Sequence, residues 1–257
     1  MNKSDLFNLE GKTAIVTGGA NGIGKATALL LAKHGASISI GDYNLEEAEK
    51  TAKEIQELGV NAIAVSCNVL KDEELVNLVD TTVNELGGIH ILINNAGGGG
   101  GGRENPFKIS VDDFKRVFDL NVFSAWRLSQ LCVPHMKKAG YGSIVITTSM
   151  SSINKSPNMS AYAASKASVN HMAANLAHDF GPEVRINAVG PGATRTAALD
   201  RVLTPEIEEK MLANTPIKRL GTADDIAGAM LYFASPISEW VSGQTLFVNG
   251  GGEQTLE

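Results

Sequence analysis

A tyrosine and a lysine four residues apart, Tyr162 and Lys166, lie in a stretch of helical character, Ala161–Phe180. That spacing puts both side chains on one face of a helix, a turn apart. A free phenol titrates near about pH 10 and is a poor base at neutrality. A neighbouring ammonium favours the phenolate and lowers that pKa. So placed, Tyr162 can take the proton of an alcohol as hydride leaves the adjoining carbon, and return it to the forming alkoxide in reverse. The same spacing also suits an ordinary surface pair. Ser149 closes the β-rich run Ile144–Ser149. Ligands bind at the carboxyl ends of strands in open α/β sheets, where a serine hydroxyl can orient a carbonyl oxygen or merely cap the strand end.

A second group of residues suits a dinucleotide. Gly18, Asn21, Gly22, Ile23 and Gly24 follow the β-rich run Thr13–Thr17 and open a helical segment. Glycines there allow a tight turn, and a helix amino terminus offers amide donors and partial positive charge to a pyrophosphate. The spacing departs from the usual G-x-G-x-x-G. Asp42 follows the second short strand, where a carboxylate can accept both adenosine-ribose hydroxyls and repel a 2′-phosphate. No Lys or Arg lies within residues 41–47, so the expected cofactor is NAD and not NADP. Asp42 also fits an N-capping turn. Six glycines, Gly97–Gly102, follow the fourth strand. They read either as a flexible loop or as backbone that must approach a ligand closely.

These groups need a scaffold, and the chain alternates short apolar runs with longer amphipathic ones. Strands are predicted at Thr13–Thr17, Ser37–Gly41, Ala62–Ser66, Ile89–Ile93, Ser143–Thr147, Arg185–Val189 and Thr245–Val248. Helices are predicted at Ile23–His34, Leu45–Leu58, Asp72–Leu86, Phe114–Lys138, Ala161–Phe180 and Asp224–Ala234. Such alternation predicts an α/β fold: a single-domain, Rossmann-type, doubly wound parallel sheet of about seven strands with helices on both faces. Residues 1–257 read as one dinucleotide-binding catalytic domain. Residues 193–220 are less regular, with a short helix between Pro205 and Pro216, and read as an insertion covering the substrate.

Composition narrows the classes further. The chain has 257 residues, 43% hydrophobic and 19% charged, with net charge −6. An acidic balance argues against nucleic acid. Cys67 and Cys132 are too few for a disulfide framework and read as buried thiols. The five histidines lack the paired spacing of a metal site, so no metal is expected. No signal-type run and no span of roughly 18 apolar residues occurs. The expected setting is the cytoplasm, with no membrane partner.

Taken together, Thr-Gly-x-x-x-Gly-Ile-Gly at 17–24, Asn-Asn-Ala-Gly at 94–97, Asn121, Ser149, Tyr162-x-x-x-Lys166 and Pro191-Gly192 resemble the short-chain dehydrogenase/reductase family over nearly the whole chain. The resemblance implies that Tyr162 is the acid/base and that Lys166 tunes it and holds the nicotinamide ribose. It implies that Ser149 binds the substrate oxygen, and that Asn121 kinks its helix and holds a water of a proton relay. Asn68, Val69, Asn95, Gly97, Pro191, Gly192, Thr194 and Thr196 would join the glycine loop and Asp42 around the cofactor. Asn68 departs from the aspartate usual at that place.

Within the family the chain resembles the bacterial 7-alpha-hydroxysteroid dehydrogenases, through Leu120–Ser124, Thr148–Met150, Asn154-Lys155 and Thr204–Glu208. That similarity implies oxidation of the 7-alpha hydroxyl of bile acids, with Gly99 and Asn154 joining Ser149 and Tyr162 at the substrate. Met150, Met159, Ala197, Ala198, Leu199, Val202, Leu203, Met211 and Leu212 could wall an apolar cleft, and Arg103 could steer an anionic steroid tail or lie idle on the surface. The family implies a homotetramer. The alternatives are another short-chain reductase, acting on a 3-oxoacyl thioester, a sugar alcohol or a xenobiotic ketone, and a non-catalytic NAD-binding sensor. A sensor has no use for Asn121, Ser149, Tyr162 and Lys166 together.

Overall fold

The computed structural model describes residues 6–99, 104–200 and 203–252, with only the backbone of Ala197 and Ala198. Among these residues seven parallel strands form one sheet: β1 (Thr13–Thr17), β2 (Ser37–Asp42), β3 (Ala62–Ser66), β4 (Ile91–Asn94), β5 (Gly142–Thr147), β6 (Val184–Pro191) and β7 (Thr245–Val248). Their order is β3-β2-β1-β4-β5-β6-β7. Strands β1 and β4 are buried along their whole length, as central strands covered on both faces must be.

The alternation of side chains splits the core in two. Val16, Ile91 and Ile93 point to one face, where Leu31 of α1 (Gly22–Lys33), Ile55 of α2 (Leu45–Gln56) and Met230 and Phe233 of α9 (Ala223–Ala234) cover them. Ile15, Leu92 and Ile144 point to the other, under Leu78 of α3 (Asp72–Leu86), Leu128 and Met136 of α5 (Ser124–Ala139) and Val169 of α6 (Ser160–Phe180). Each such side chain fully buried contributes about 1.5–3 kcal/mol. The helix ends carry their own signals. Asn44 caps α2 through the Glu47 amide, α3 stops at left-handed Gly87, and Thr222 and Asp225 form a capping box on α9.

Three differences from the predicted elements bear on the site. The long helix expected over Phe114–Lys138 is broken: α4 (Val111–Phe118) passes into a π turn at Asp119–Phe123 before α5. Strand β4 begins at Ile91, two residues later than the apolar run suggests. A short α7 (Ala197–Asp200) precedes α8 (Pro205–Ala213), and a four-residue helix is too short to show a period. Both free cysteines are buried, and desolvation pushes the Cys67 thiol up to about 12.

Candidate active site

The order of the sheet reverses between β1 and β4, whose carboxyl ends diverge into separate loops and leave a crevice, the usual ligand position in such sheets. Thr17 and Asn95 join the two strand ends. The Thr17 hydroxyl accepts from the Asn95 and Ala96 amides, both at 3.1 Å. Asn95 Nδ2 donates to the Thr17 and Gly18 carbonyls at 3.1 and 3.3 Å, and Thr147 Oγ1 donates to Asn95 Oδ1 at 3.3 Å. Gly24 packs under this junction: a Cβ there would stand 2.1 Å from the Gly18 carbonyl oxygen and 2.7 Å from Asn95 Nδ2. Asn21, N-cap of α1, makes no side-chain cap bond, and the first turn carries no acid, so no side chain of that turn offsets the partial positive charge of the helix amino end.

Asp42 is buried at the end of β2. Its Oδ2 accepts from the Ala20 amide at 3.1 Å and its Oδ1 from Asn44 N–H at 3.0 Å. The cap of α2 is Asn44, and Asp42 braces the glycine loop instead. Gly18, Asn21, Asp42, Asn68, Val69, Asn95 and Gly97 line one cleft of about 620 Å³. The amide oxygen of Asn68 accepts from Leu70 N–H at 3.1 Å. Arg116 of α4 lines the same cleft; the sequence reading missed it, because nothing local places α4 opposite β2.

Beyond Gly97 the crevice reaches the second group. Lys166 is buried, and its Nζ donates to the Thr147 carbonyl at 2.7 Å. Desolvation lowers its pKa to about 8. Asn121, within the π turn, grips Gly98 at both ends: Oδ1 accepts from Gly98 N–H and Nδ2 donates to Gly98 O, each at 2.9 Å. Its Nδ2 also donates to Ser165 Oγ at 3.0 Å. A Cβ on Gly97 would lie 2.9 Å from Asn121 Oδ1 and 3.2 Å from Lys166 Nζ, so only glycine fits between them.

Tyr162 behaves differently from the sequence expectation of a lowered pKa. Burial raises the phenol, a hydrogen bond with Ser149 opposes that, and the Glu104 carboxylate adds to it. The Lys166 amine does not offset this: it is turned to the Thr147 carbonyl and, with its pKa lowered to about 8, has lost its proton before the phenol titrates. Ser149 also caps a 3₁₀ turn, accepting from Ser151 N–H at 3.1 Å, so its capping and site-facing roles coexist.

The expected substrate residues cluster here in part. A Cβ on Gly99 would meet the Tyr162 ring at 3.6 Å. Asn154 Nδ2 is buried without a hydrogen-bond partner, as is Asn170 Oδ1. Gly100–Gly102, Arg103 and Val202 lie outside the described residues. Met150, Met159 and Met211 are buried, and Leu199, Leu203 and Leu212 half-buried. After β6 the Gly192 amide donates to Val248 O at 2.9 Å, and Thr194 Oγ1 donates to Gly192 O at 3.1 Å. The Thr196 methyl lies 4.0 Å from where a Gly22 Cβ would be. Thr194 pairs with Gly221 as an isolated bridge, pinching together the two ends of the segment that holds α7 and α8.

The family described as enoyl-(acyl carrier protein) reductase matches residues 18–253. The 7alpha-hydroxysteroid dehydrogenase of Escherichia coli (strain K12) is 48% identical over 257 residues, 100% of both chains. The 3-oxoacyl-[acyl-carrier-protein] reductase FabG of Thermotoga maritima is 34% identical, over 95% of this chain and 99% of its own. A solved 7 alpha-hydroxysteroid dehydrogenase complexed with NADH and 7-oxo glycochenodeoxycholic acid superposes with TM-score 0.96, at 48% identity and 100% coverage of both chains. Among the described residues no helix is long and apolar enough to cross a membrane. With this match along its whole length, and with the crevice geometry above, the chain belongs to the short-chain dehydrogenase/reductase family of oxidoreductases.

Proposed function

We propose that this chain interconverts a secondary alcohol and a ketone with NAD(H), and that its substrate is the 7-alpha hydroxyl of a bile acid. The observation that carries the reading is the full-length similarity, at 48% identity and TM-score 0.96, to a dehydrogenase whose structure holds NADH and a 7-oxo bile acid. The cleft fits the dinucleotide. Its glycine loop leads into a helix whose first turn carries no acid, and each Asp42 oxygen accepts one backbone N–H, leaving further lone pairs for ribose hydroxyls.

Bound NAD supplies the hydride acceptor, and its reduced form the donor. Tyr162 takes the alcohol proton, and Ser149, two residues beyond the end of β5, orients the substrate oxygen. Lys166 uses one donor on Thr147 O and keeps others for the nicotinamide ribose. Asn121 fixes Gly98 through both its backbone groups. Pro191, Gly192, Thr194 and Thr196 flank the nicotinamide, and residues 193–220, pinched at the neck by Thr194 and Gly221, cover the substrate within the single domain. Gly99 and Asn154 contact the steroid. The enzyme works as a cytosolic homotetramer, and light scattering that reports a monomer overturns that assembly.

The test is NADH formation with cholate, chenodeoxycholate, deoxycholate and unrelated alcohols. Deoxycholate lacks the 7-hydroxyl and keeps its other ring hydroxyls. Turnover of the first two alone supports the reading, and activity on deoxycholate moves the attack to another ring position. Silence on all three, with turnover of a 3-oxoacyl thioester, favours the second reading, for which the similarity to FabG speaks.

A further inference from the structure

We infer that Glu104 is a positioning residue for Tyr162: its buried carboxylate closes the amino end of the helix that carries Tyr162 and ties that helix to the chain leaving the glycine run. The inference rests on the reading of Tyr162 as the proton carrier.

A helix leaves its first amides without partners inside the helix, and a Ser, Thr, Asp or Asn at the N-cap usually takes one of them. The N-cap of α6 is Met159, which makes no side-chain cap bond. Glu104, more than fifty residues earlier in the chain, takes that role. Its Oε2 accepts from Ala161 N–H at 2.7 Å and Tyr162 N–H at 3.2 Å, and its Oε1 from Tyr162 N–H at 3.1 Å. In return the Glu104 amide donates to the Asn158 carbonyl at 3.1 Å. The two segments, distant in sequence, are thus tied in both directions, by the carboxylate on the helix amides and by a backbone bond back to Asn158. Glu104 is 7% exposed.

The clamp acts on Tyr162 in two ways. It fixes the backbone of the residue whose hydroxyl must meet the substrate, and small misplacements there are costly. Its negative charge also disfavours the phenolate. Among the described residues the groups that bear on the phenol are Glu104 and Ser149, which pulls the other way; Lys166 Nζ lies 5.8 Å from the ring centroid and is turned to the Thr147 carbonyl.

The experiment compares the pH profile of alcohol oxidation for the wild type, Glu104→Gln and Glu104→Asp. Glutamine removes the charge, so the rising limb of kcat should move down by roughly half a pH unit or more, with kcat lower by about tenfold. Aspartate keeps the charge but shortens the reach, so kcat should fall with the limb unmoved. KM for NAD should stay within about twofold in both, since neither change touches the cleft. A glutamine variant with wild-type limb and kcat overturns the proposal. Hydrogen exchange of the wild type is a separate check that needs no variant to fold. Slow exchange at the Ala161 and Tyr162 amides supports the clamp, and exchange as fast as in an open first turn overturns it. Ordinary turnover in Tyr162→Phe would instead sink the acid/base reading, with the exchange result standing on its own.

Discussion

Lys166 directs its ammonium at the Thr147 carbonyl, 2.7 Å away, while the centroid of the Tyr162 ring one turn back lies at 5.8 Å. The buried amine is thereby tied to the end of β5, and its burial has a consequence for stability. Its folded pKa is about 8, against 10.5 for a free lysine. Between those values the unfolded chain binds more protons, so stability rises with pH across the window and this gain is lost as pH falls toward 8. Below that the contribution is flat. Denaturant unfolding at about pH 7 and about pH 10 should show a stability difference between wild type and Lys166→Met that changes by about 3 kcal/mol. A pH slope identical in the two proteins would refute it.

Tyr162→Phe keeps the ring and removes the proton carrier. Turnover should fall by about 10²–10⁴-fold, the range of general acid–base catalysis, while NAD binding followed by fluorescence titration stays near wild type. Ordinary activity in this variant would overturn the assignment.

Asp42→Ala removes a carboxylate that holds Ala20 N–H and Asn44 N–H. Hydrogen bonds to charged groups contribute about 1.5–3 kcal/mol each, so NAD affinity should fall at least about tenfold and discrimination against NADP should relax. With the repelling charge gone, Arg116 in the same cleft is a cation available to a 2′-phosphate. An unchanged ratio of kcat/KM for the two cofactors would count against this reading.

Gly24→Ala puts a methyl group 2.1 Å from a backbone oxygen that cannot swing aside. Overpacking of this kind costs about 1–3 kcal/mol, which for a chain of this size lowers Tm by several degrees. The glycine loop should shift and NAD binding weaken with it. Calorimetry showing wild-type Tm together with wild-type affinity would contradict the close packing.

Much of the site is legible locally. Tyr162 and Lys166 share a helix face, the glycine loop follows a strand, and Asp42 ends one, so each signal needs only neighbours in the chain. Glu104 carries no such signal: it follows six glycines and an arginine, and its partners Ala161 and Tyr162 lie beyond two helices and a strand. Arg116 is invisible in the same way. The π turn at Asn121 leaves no mark in the periodicity, because its residues keep helical character; the family resemblance implies a kink there, and the structure adds the grip on Gly98 and Ser165.

The alternation of strand and helix, and the carboxyl-end placement of Ser149, Asp42 and the glycine loop, are properties of local pattern, and the chain carries them without its fold. The electrostatics are not. Whether a lysine one turn from a tyrosine lowers the phenol pKa depends on where its ammonium points and how much water each group keeps. Those are set by Thr147 and Ser149 at the end of β5 and by Glu104 from a distant segment, brought together against the helix. Spacing along one helix brings Tyr162 and Lys166 together, and desolvation by the packed fold decides their proton affinities.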